Sequence, residues 1–313
     1  MKIAFLEPLG IPQSELEETV RAAVGAGPEL VFYPDRKTDA DTLIARCAGA
    51  DAVVLSNFPL RREVLEKCPQ LKMICVAFTG VDHVDLEYCR EKGVTVCNCA
   101  GYSTVAVADL VFGFVVALAR NLLPCDERCR TGGVKDGLVG FELEGKTFGV
   151  IGAGAIGTRV ARIANAFGCR VLAYSRTKKE IDGVTFVDLE TLLRESDIVS
   201  LHVPQTKETV GMIGGAEFSL MKPTALFINT ARGPIVETAA LAAALQNGTI
   251  AGAGVDVFDT EPPIDEGNPL LKAPHLVCTP HVAFATHEAF RKRAVIVAEN
   301  LAAWLSGAPQ NLC

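Results

Sequence analysis

Three polar residues of this 313-residue chain follow short apolar runs and differ in what they can do: Arg232 in Asn229-Thr230-Ala231-Arg232-Gly233, Glu261 in Asp256-Val257-Phe258-Asp259-Thr260-Glu261-Pro262, and His281 in Thr279-Pro280-His281. A guanidinium presents a planar fork of donors to a carboxylate, an imidazole exchanges a proton near neutral pH, and a carboxylate beside it orients it and stabilises its charged form. All three leave the carboxyl ends of expected strands, which border the ligand crevice of an open α/β sheet. Proton transfer on a small acid held by the arginine is the chemistry such a grouping supports. Each alone reads more readily as structural, the Arg in an ion pair, the Glu on the surface beside prolines and the His in a core.

A second signal lies in Val150-Ile151-Gly152-Ala153-Gly154-Ala155-Ile156-Gly157, a G-x-G-x-x-G between an apolar strand and an Ala-rich helix. Gly152 permits the tight turn, Gly154 lets a pyrophosphate approach the backbone, and Gly157 lets helix pack on strand. The next strand ends at Tyr174, where an NAD site would usually place Asp or Glu against the ribose 2′-hydroxyl. Here the chain reads Ser175-Arg176-Thr177-Lys178-Lys179. A hydroxyl beside a guanidinium, with no carboxylate, predicts NADP(H) over NAD(H), NAD(H) remaining usable; the plainer alternative leaves Arg176 and Lys178 solvated.

The elements that must position these residues come in two alternations. Ile3 to Leu6, Leu30 to Tyr33, Ala52 to Leu55, Met73 to Val76 and Val94 to Cys97 read as strands. Between them lie helices: one capped by Ser14 with Glu17 in a capping box, then Asp41 to Cys47, Arg62 to Lys67, and Asp85 to Lys92 ended by Gly93. Beyond Gly132, Gly133, Gly137 and Gly140, six further strands are expected: Phe148 to Ile151, Arg170 to Tyr174, Ile198 to His202, Ala225 to Asn229, Gly254 to Val257 and Leu276 to Thr279. A last helix spans about Glu288 to Ser306, with Thr286 as its cap. The fold class is α/β, with two doubly wound parallel sheets.

Composition narrows the partners. Thirty Lys and Arg against thirty-seven Asp and Glu give a net charge of -7, too little positive charge for a nucleic-acid partner. The longest apolar stretch, Val105 to Ala119, carries Asp109 and is too short for a membrane span; it reads as a helix buried from several sides. Eleven cysteines, an odd count without a secretory leader pattern, predict a reducing, cytoplasmic setting. Cys97, Cys99, Cys125 and Cys129 are expected as small buried hydrophobes rather than ligands, and no metal site is expected.

These motifs, together with Thr79-Gly80-Val81-Asp82, Val107-Ala108-Asp109 and His202-Val203-Pro204, resemble the D-2-hydroxyacid dehydrogenases along essentially the whole chain. Gly101-Tyr102-Ser103-Thr104 and His281-Val282-Ala283-Phe284-Ala285-Thr286 look most like the glycerate dehydrogenase and glyoxylate/hydroxypyruvate reductase branch, whose members often carry Trp where Phe284 stands. The resemblance implies a discontinuous flavodoxin-like substrate domain (1–98 plus 285–313) around an inserted Rossmann dinucleotide domain (99–284), with substrate in the cleft between them. It implies an oxidoreductase moving a hydride between NAD(P)H and a small 2-keto acid, giving the D-2-hydroxy acid. His281 would be the acid/base paired with Glu261, and Arg232 would bind the substrate carboxylate and carbonyl. Ala77, Phe78, Thr79 and Gly80 would offer backbone N–H groups, and Phe284 would line the substrate.

The dinucleotide would be contacted by Thr104, Gly152, Gly154, Ala155, Ile156, Gly157, Ser175, Arg176, Thr177, His202, Val203, Pro204, Thr209, Thr230, Ala231, Arg232 and Asp256. His202 and His83 are read as structural or peripheral to the proton transfer. A homodimer through the 105–120 helix region is implied as well. Two other readings use the same fold: a phosphite-type dehydrogenase, and an NAD(P)-sensing binding protein or corepressor.

Overall fold

The structure is a computed structural model that describes residues 1–177 and 179–313, so Lys178 lies outside the described residues. The chain forms two compact units, Met1–Ser103 with Ala285–Cys313, and Thr104–Phe284. The first crossing thus falls after Ser103 rather than at 98. Hydrogen bonds explain the shift: Cys99 donates its N–H to Phe78 O (2.9 Å), Asn98 Nδ2 bonds Thr79 O (2.9 Å), and Asn300 Nδ2 bonds Asn98 O (2.8 Å).

The first unit runs β1 (Lys2–Phe5), α1 (Gln13–Val24), β2 (Glu29–Phe32), α2 (Ala40–Cys47), β3 (Ala52–Leu55), α3 (Arg62–Leu65), β4 (Met73–Val76), α4 (Leu86–Lys92) and β5 (Thr95–Cys97), and is rejoined by the C-terminal helix His287–Leu305. Its strands are all parallel in the order β2-β1-β3-β4-β5, the flavodoxin-like order. All residues of β3 and β4 are buried, as central parallel strands covered on both faces require. Asp39 and Asp85 cap α2 and α4 by accepting from the N–H groups of Thr42 and Tyr88, and Gly93 closes α4 at φ 68°. Ser14 does not cap α1, and Glu17 forms no capping box there. The helix begins at Gln13 behind Pro12 (φ −54°), without a side-chain cap. A proline's fixed φ suits the helix entrance, so the chain turns helical before Ser14.

The second unit contains α5 (Thr104–Ala119), α6 (Leu122–Arg130), β6 (Thr147–Ile151), α7 (Ala155–Ala166), β7 (Arg170–Tyr174), β8 (Val184–Phe186), α8 (Leu189–Glu195), β9 (Ile198–Leu201), α9 (Gly215–Leu220), β10 (Leu226–Asn229), α10 (Thr238–Gln246), β11 (Gly252–Val255) and β12 (Leu276–Cys278). The helix that returns to the first unit is α11, and Thr286 caps it by accepting from Ala289 N–H (3.1 Å). The strand order is β12-β11-β10-β9-β6-β7-β8. Seven strands form this sheet, one more than expected, because β8 is a short, half-exposed edge strand with no apolar run to announce it. Chain direction along the sheet reverses between β6 and β9, and the glycine turn follows β6 at that switch point.

Helix α5 buries Ala106, Val107, Ala108, Val111, Phe112, Phe114, Val115 and Ala119, while Val105, Asp109 and Gly113 form one exposed stripe. Among the described residues no single helix is long and apolar enough to cross a membrane. Cys97 and Cys99 are buried, but Cys129 is exposed, because α6 buries no side chain.

Candidate active site

The glycine turn has a separate physical reason for each glycine. Gly152 sits at φ 102°, and a Cβ there would stand 2.7 Å from the His202 carbonyl carbon. A Cβ at Gly157 would fall 1.9 Å from Gly152 O, so only glycine lets α7 approach the turn. A Cβ at Gly154 would meet nothing within 4 Å, which leaves the N-terminus of α7 open to a ligand. This pattern fits a pyrophosphate on the helix N–H groups, with Ala155 and Ile156 beginning the helix. Thr230, buried with its hydroxyl unpartnered in the protein, adds a polar group at the end of β10.

Other expected contacts divide. Ser175, Arg176 and Thr177 follow β7, with Arg176 and Thr177 exposed. Val203 and Pro204 follow His202 on the loop after β9, and Thr104 opens α5. The Thr209 hydroxyl is spent within its own loop, donating to Pro204 O (2.7 Å) and accepting from Thr206 N–H (2.8 Å). His202 Nε2 lies 2.9 Å from Ser200 Oγ, and burial pushes its pKa down to about 3, so the ring stays neutral. Ser200 was missed by sequence reasoning; its two-residue spacing from His202 along an extended chain was the available signal.

The loop after β10 is shaped by Asn229, whose side chain accepts from Ala231 N–H (3.0 Å) and donates to Arg232 O (3.0 Å). Arg232 Nη1 donates to Ala231 O (2.8 Å). Gly233 then passes so close to the next loop that a Cβ would sit 2.0 Å from the Phe258 carbonyl carbon. That contact locks the Arg232 loop against the loop carrying Glu261, whose Oε2 accepts from Phe258 N–H (3.1 Å).

Glu261 Oε1 lies 2.6 Å from His281 Nδ1, the two side chains being 14% and 20% exposed. Phe284 packs edge-on to the imidazole, with centroids 5.8 Å apart and planes at 85°. His281 adopts φ 53°, an uncommon conformation for a residue other than glycine. Asp256 holds it there. The Asp256 carbonyl accepts from His281 N–H (2.7 Å). Its carboxylate accepts from the Thr279 hydroxyl (2.5 Å) and from the N–H groups of Val282 (2.8 Å) and Ala283 (2.9 Å).

Asp256 is fully buried. Burial pushes its carboxyl pKa up, while the Thr279 hydroxyl and the two N–H groups pull it back. The side chain expected to touch the dinucleotide also ties down the His281 loop.

In the first unit, the loop after β4 is also partly corrected. Ala77 donates its N–H to Leu55 O (2.7 Å), so it has none to offer a carboxylate. Ala77 and Phe78 are buried and Thr79 is exposed. Arg293, buried and stacked on Phe290, bonds Ala77 O (3.3 Å) and Leu9 O (2.5 Å), a support the sequence did not reveal. His83 is buried next to the same loop.

The profile described as D-isomer specific 2-hydroxyacid dehydrogenase, NAD binding domain, matches residues 112–283. A glyoxylate reductase of Thermococcus litoralis is 44% identical over 299 residues, covering 91% of this chain and 90% of that protein. A glycerate dehydrogenase of Methylorubrum extorquens is 40% identical over 281 residues, covering 87% and 88%. Among solved structures, an acyclic imino acid reductase in complex with NADPH and D-Arg superposes with a TM-score of 0.92 at 31% identity, each chain covered in full. With its second unit a Rossmann domain for a nicotinamide dinucleotide, the chain belongs to the D-isomer-specific 2-hydroxyacid dehydrogenase family, beside its glyoxylate reductases and glycerate dehydrogenases.

Proposed function

We propose that the protein is an NADP(H)-preferring reductase of a small 2-keto acid such as glyoxylate or hydroxypyruvate, forming the D-2-hydroxy acid. The observation that carries this reading is the 2.6 Å His281–Glu261 pair beside the Arg232 loop. Arg232 holds the substrate carboxylate and polarises its carbonyl. A reduced dinucleotide, its pyrophosphate held by the glycine turn and the N-terminus of α7, would supply the hydride to the keto carbon. His281, held through Nδ1 by Glu261, keeps Nε2 for the substrate and gives its proton to the carbonyl oxygen, leaving a hydroxyl. Glu261 stabilises the imidazolium before transfer, and in oxidation the neutral ring takes the proton back. The Ser175-Arg176-Thr177 segment, with Arg176 and Thr177 exposed and no carboxylate, supports the 2′-phosphate preference, and the imino acid reductase solved with NADPH shares the fold.

Steady-state rates with glyoxylate, hydroxypyruvate, pyruvate and bulkier 2-keto acids, each with NADPH and NADH, test the assignment. Turnover is expected for the smallest acids, with kcat/KM higher for NADPH. Turnover of no 2-keto acid overturns the enzyme reading, and a preference for NADH overturns the cofactor reading alone. We also propose a cytoplasmic homodimer through the α5 region, supported by the exposed Val105, Asp109 and Gly113 stripe on an otherwise buried helix. Light scattering is expected to give twice the 33.3 kDa chain mass; the chain mass itself at micromolar concentration removes the dimer.

A further inference from the structure

Helix α7 buries Gly157, Val160, Ala161 and Ala164, and its other face lines a cavity of about 620 Å³. Gly154, Ala155, Thr158, Arg159, Arg162 and Lys179 form much of its wall. Arg159 stands one turn beyond Ala155 and Arg162 one turn beyond Thr158, so the wall is a single helical stripe. Lys179 comes from the segment after β7 that opens with Ser175 and Arg176. Among the described residues, no carboxylate lies within ion-pair distance of Arg159, Arg162 or Lys179. The Arg159 Nε is buried and has no acceptor within the protein, a condition that native side chains rarely tolerate.

Three like charges facing one cavity repel each other unless an anion joins them, and guanidinium groups match phosphate oxygens in geometry. We propose that this groove is a phosphate-monoester site, in which Arg159, Arg162 and Lys179 give charge-assisted hydrogen bonds to a dianionic phosphate. Its continuity with Gly154 and Ala155 admits the 2′-phosphate of NADP(H), and its open face admits a free phosphate. The first source rests on the dinucleotide reading above, the second does not.

Binding titrations on the full chain separate the sources. Kd values for NADPH, NADH, 2′-AMP and inorganic phosphate are measured for wild type, the double variant Arg159→Gln with Lys179→Gln, Arg162→Gln, and Arg176→Ala. If the 2′-phosphate is the occupant, the double variant weakens NADPH and 2′-AMP by about tenfold to a hundredfold and leaves NADH unmoved. If a free phosphate is the occupant, inorganic phosphate weakens by that factor while the NADPH to NADH ratio holds. Arg162→Gln moves the same ligand in the same direction. Wild-type affinity for all four ligands in the double variant, with an unchanged melting curve, overturns the groove. Selectivity lost only in Arg176→Ala overturns the groove while keeping the NADP reading. Wild type binding NADPH no tighter than NADH overturns the NADP reading, and the inorganic phosphate measurement alone then decides the groove.

Discussion

His281→Gln lowers kcat for 2-keto acid reduction by about 10²- to 10⁴-fold, the range that a positioned acid or base contributes, and leaves the Kd for the dinucleotide unchanged. Glutamine keeps a donor near the carbonyl oxygen but has no proton to release, so the loss falls on the chemical step. The glycine turn lies on the loop after β6, and His281 on the loop after β12, so cofactor affinity has no reason to move. Glu261 loses its ring partner but keeps Phe258 N–H at 3.1 Å, which limits structural damage. The pH profile carries the sign. Reduction consumes the proton that the imidazole carries, so the wild-type rate falls as pH rises, and oxidation rises over the same interval. Both slopes vanish in the variant. A near-wild-type kcat, or an unchanged pH profile at low kcat, removes His281 from the proton transfer.

What the sequence revealed, and what it hid, follows from how local each cause is. The glycine turn was legible because each glycine answers a local demand: a left-handed turn at Gly152, open backbone at Gly154 and a 1.9 Å conflict at Gly157. The buried strands were legible because a parallel sheet covered on both faces needs continuous apolar runs, as in β3 and β4. The edge strand β8 has no such pattern and passed unnoticed. The Ser14 cap failed because Pro12, two residues earlier, starts the helix first.

Other features depend on partners that only the folded chain supplies. Whether the Ala77 N–H is available depends on Leu55 O in the neighbouring strand. Whether Asp256 faces a ligand or a loop depends on residues more than twenty positions downstream. Arg232, Glu261 and His281 could be grouped from their strand-end positions, and the family resemblance implied the pairing of the last two, which the folded chain brings to 2.6 Å.

Asp256→Asn lowers stability by about 2–4 kcal/mol, the size expected when buried charge-assisted hydrogen bonds are lost and a donor is left unpaired, and lowers kcat by about a hundredfold, the cost of misplacing a catalytic group by about 1 Å. The carboxylate accepts from three groups, and an amide has one oxygen to give them. An amide nitrogen at the Oδ2 position faces the Ala283 N–H, and one at Oδ1 faces the Val282 N–H. Either rotamer sets donor against donor in a fully buried place. The bond from His281 N–H to the Asp256 carbonyl survives, because it is made by the backbone. Loosening Val282 and Ala283 nevertheless releases the φ 53° conformation that points the ring.

A positioning residue and a proton carrier leave different traces. Asp256→Asn keeps the pH dependence of the rate because His281 still carries the transferred proton, whereas His281→Gln abolishes it. Dinucleotide affinity is the deciding measurement. If Asp256→Asn weakens cofactor binding and leaves kcat at saturating cofactor intact, the carboxylate touches the dinucleotide and its clamp on the His281 loop is incidental; if kcat falls at unchanged affinity, the clamp is its function.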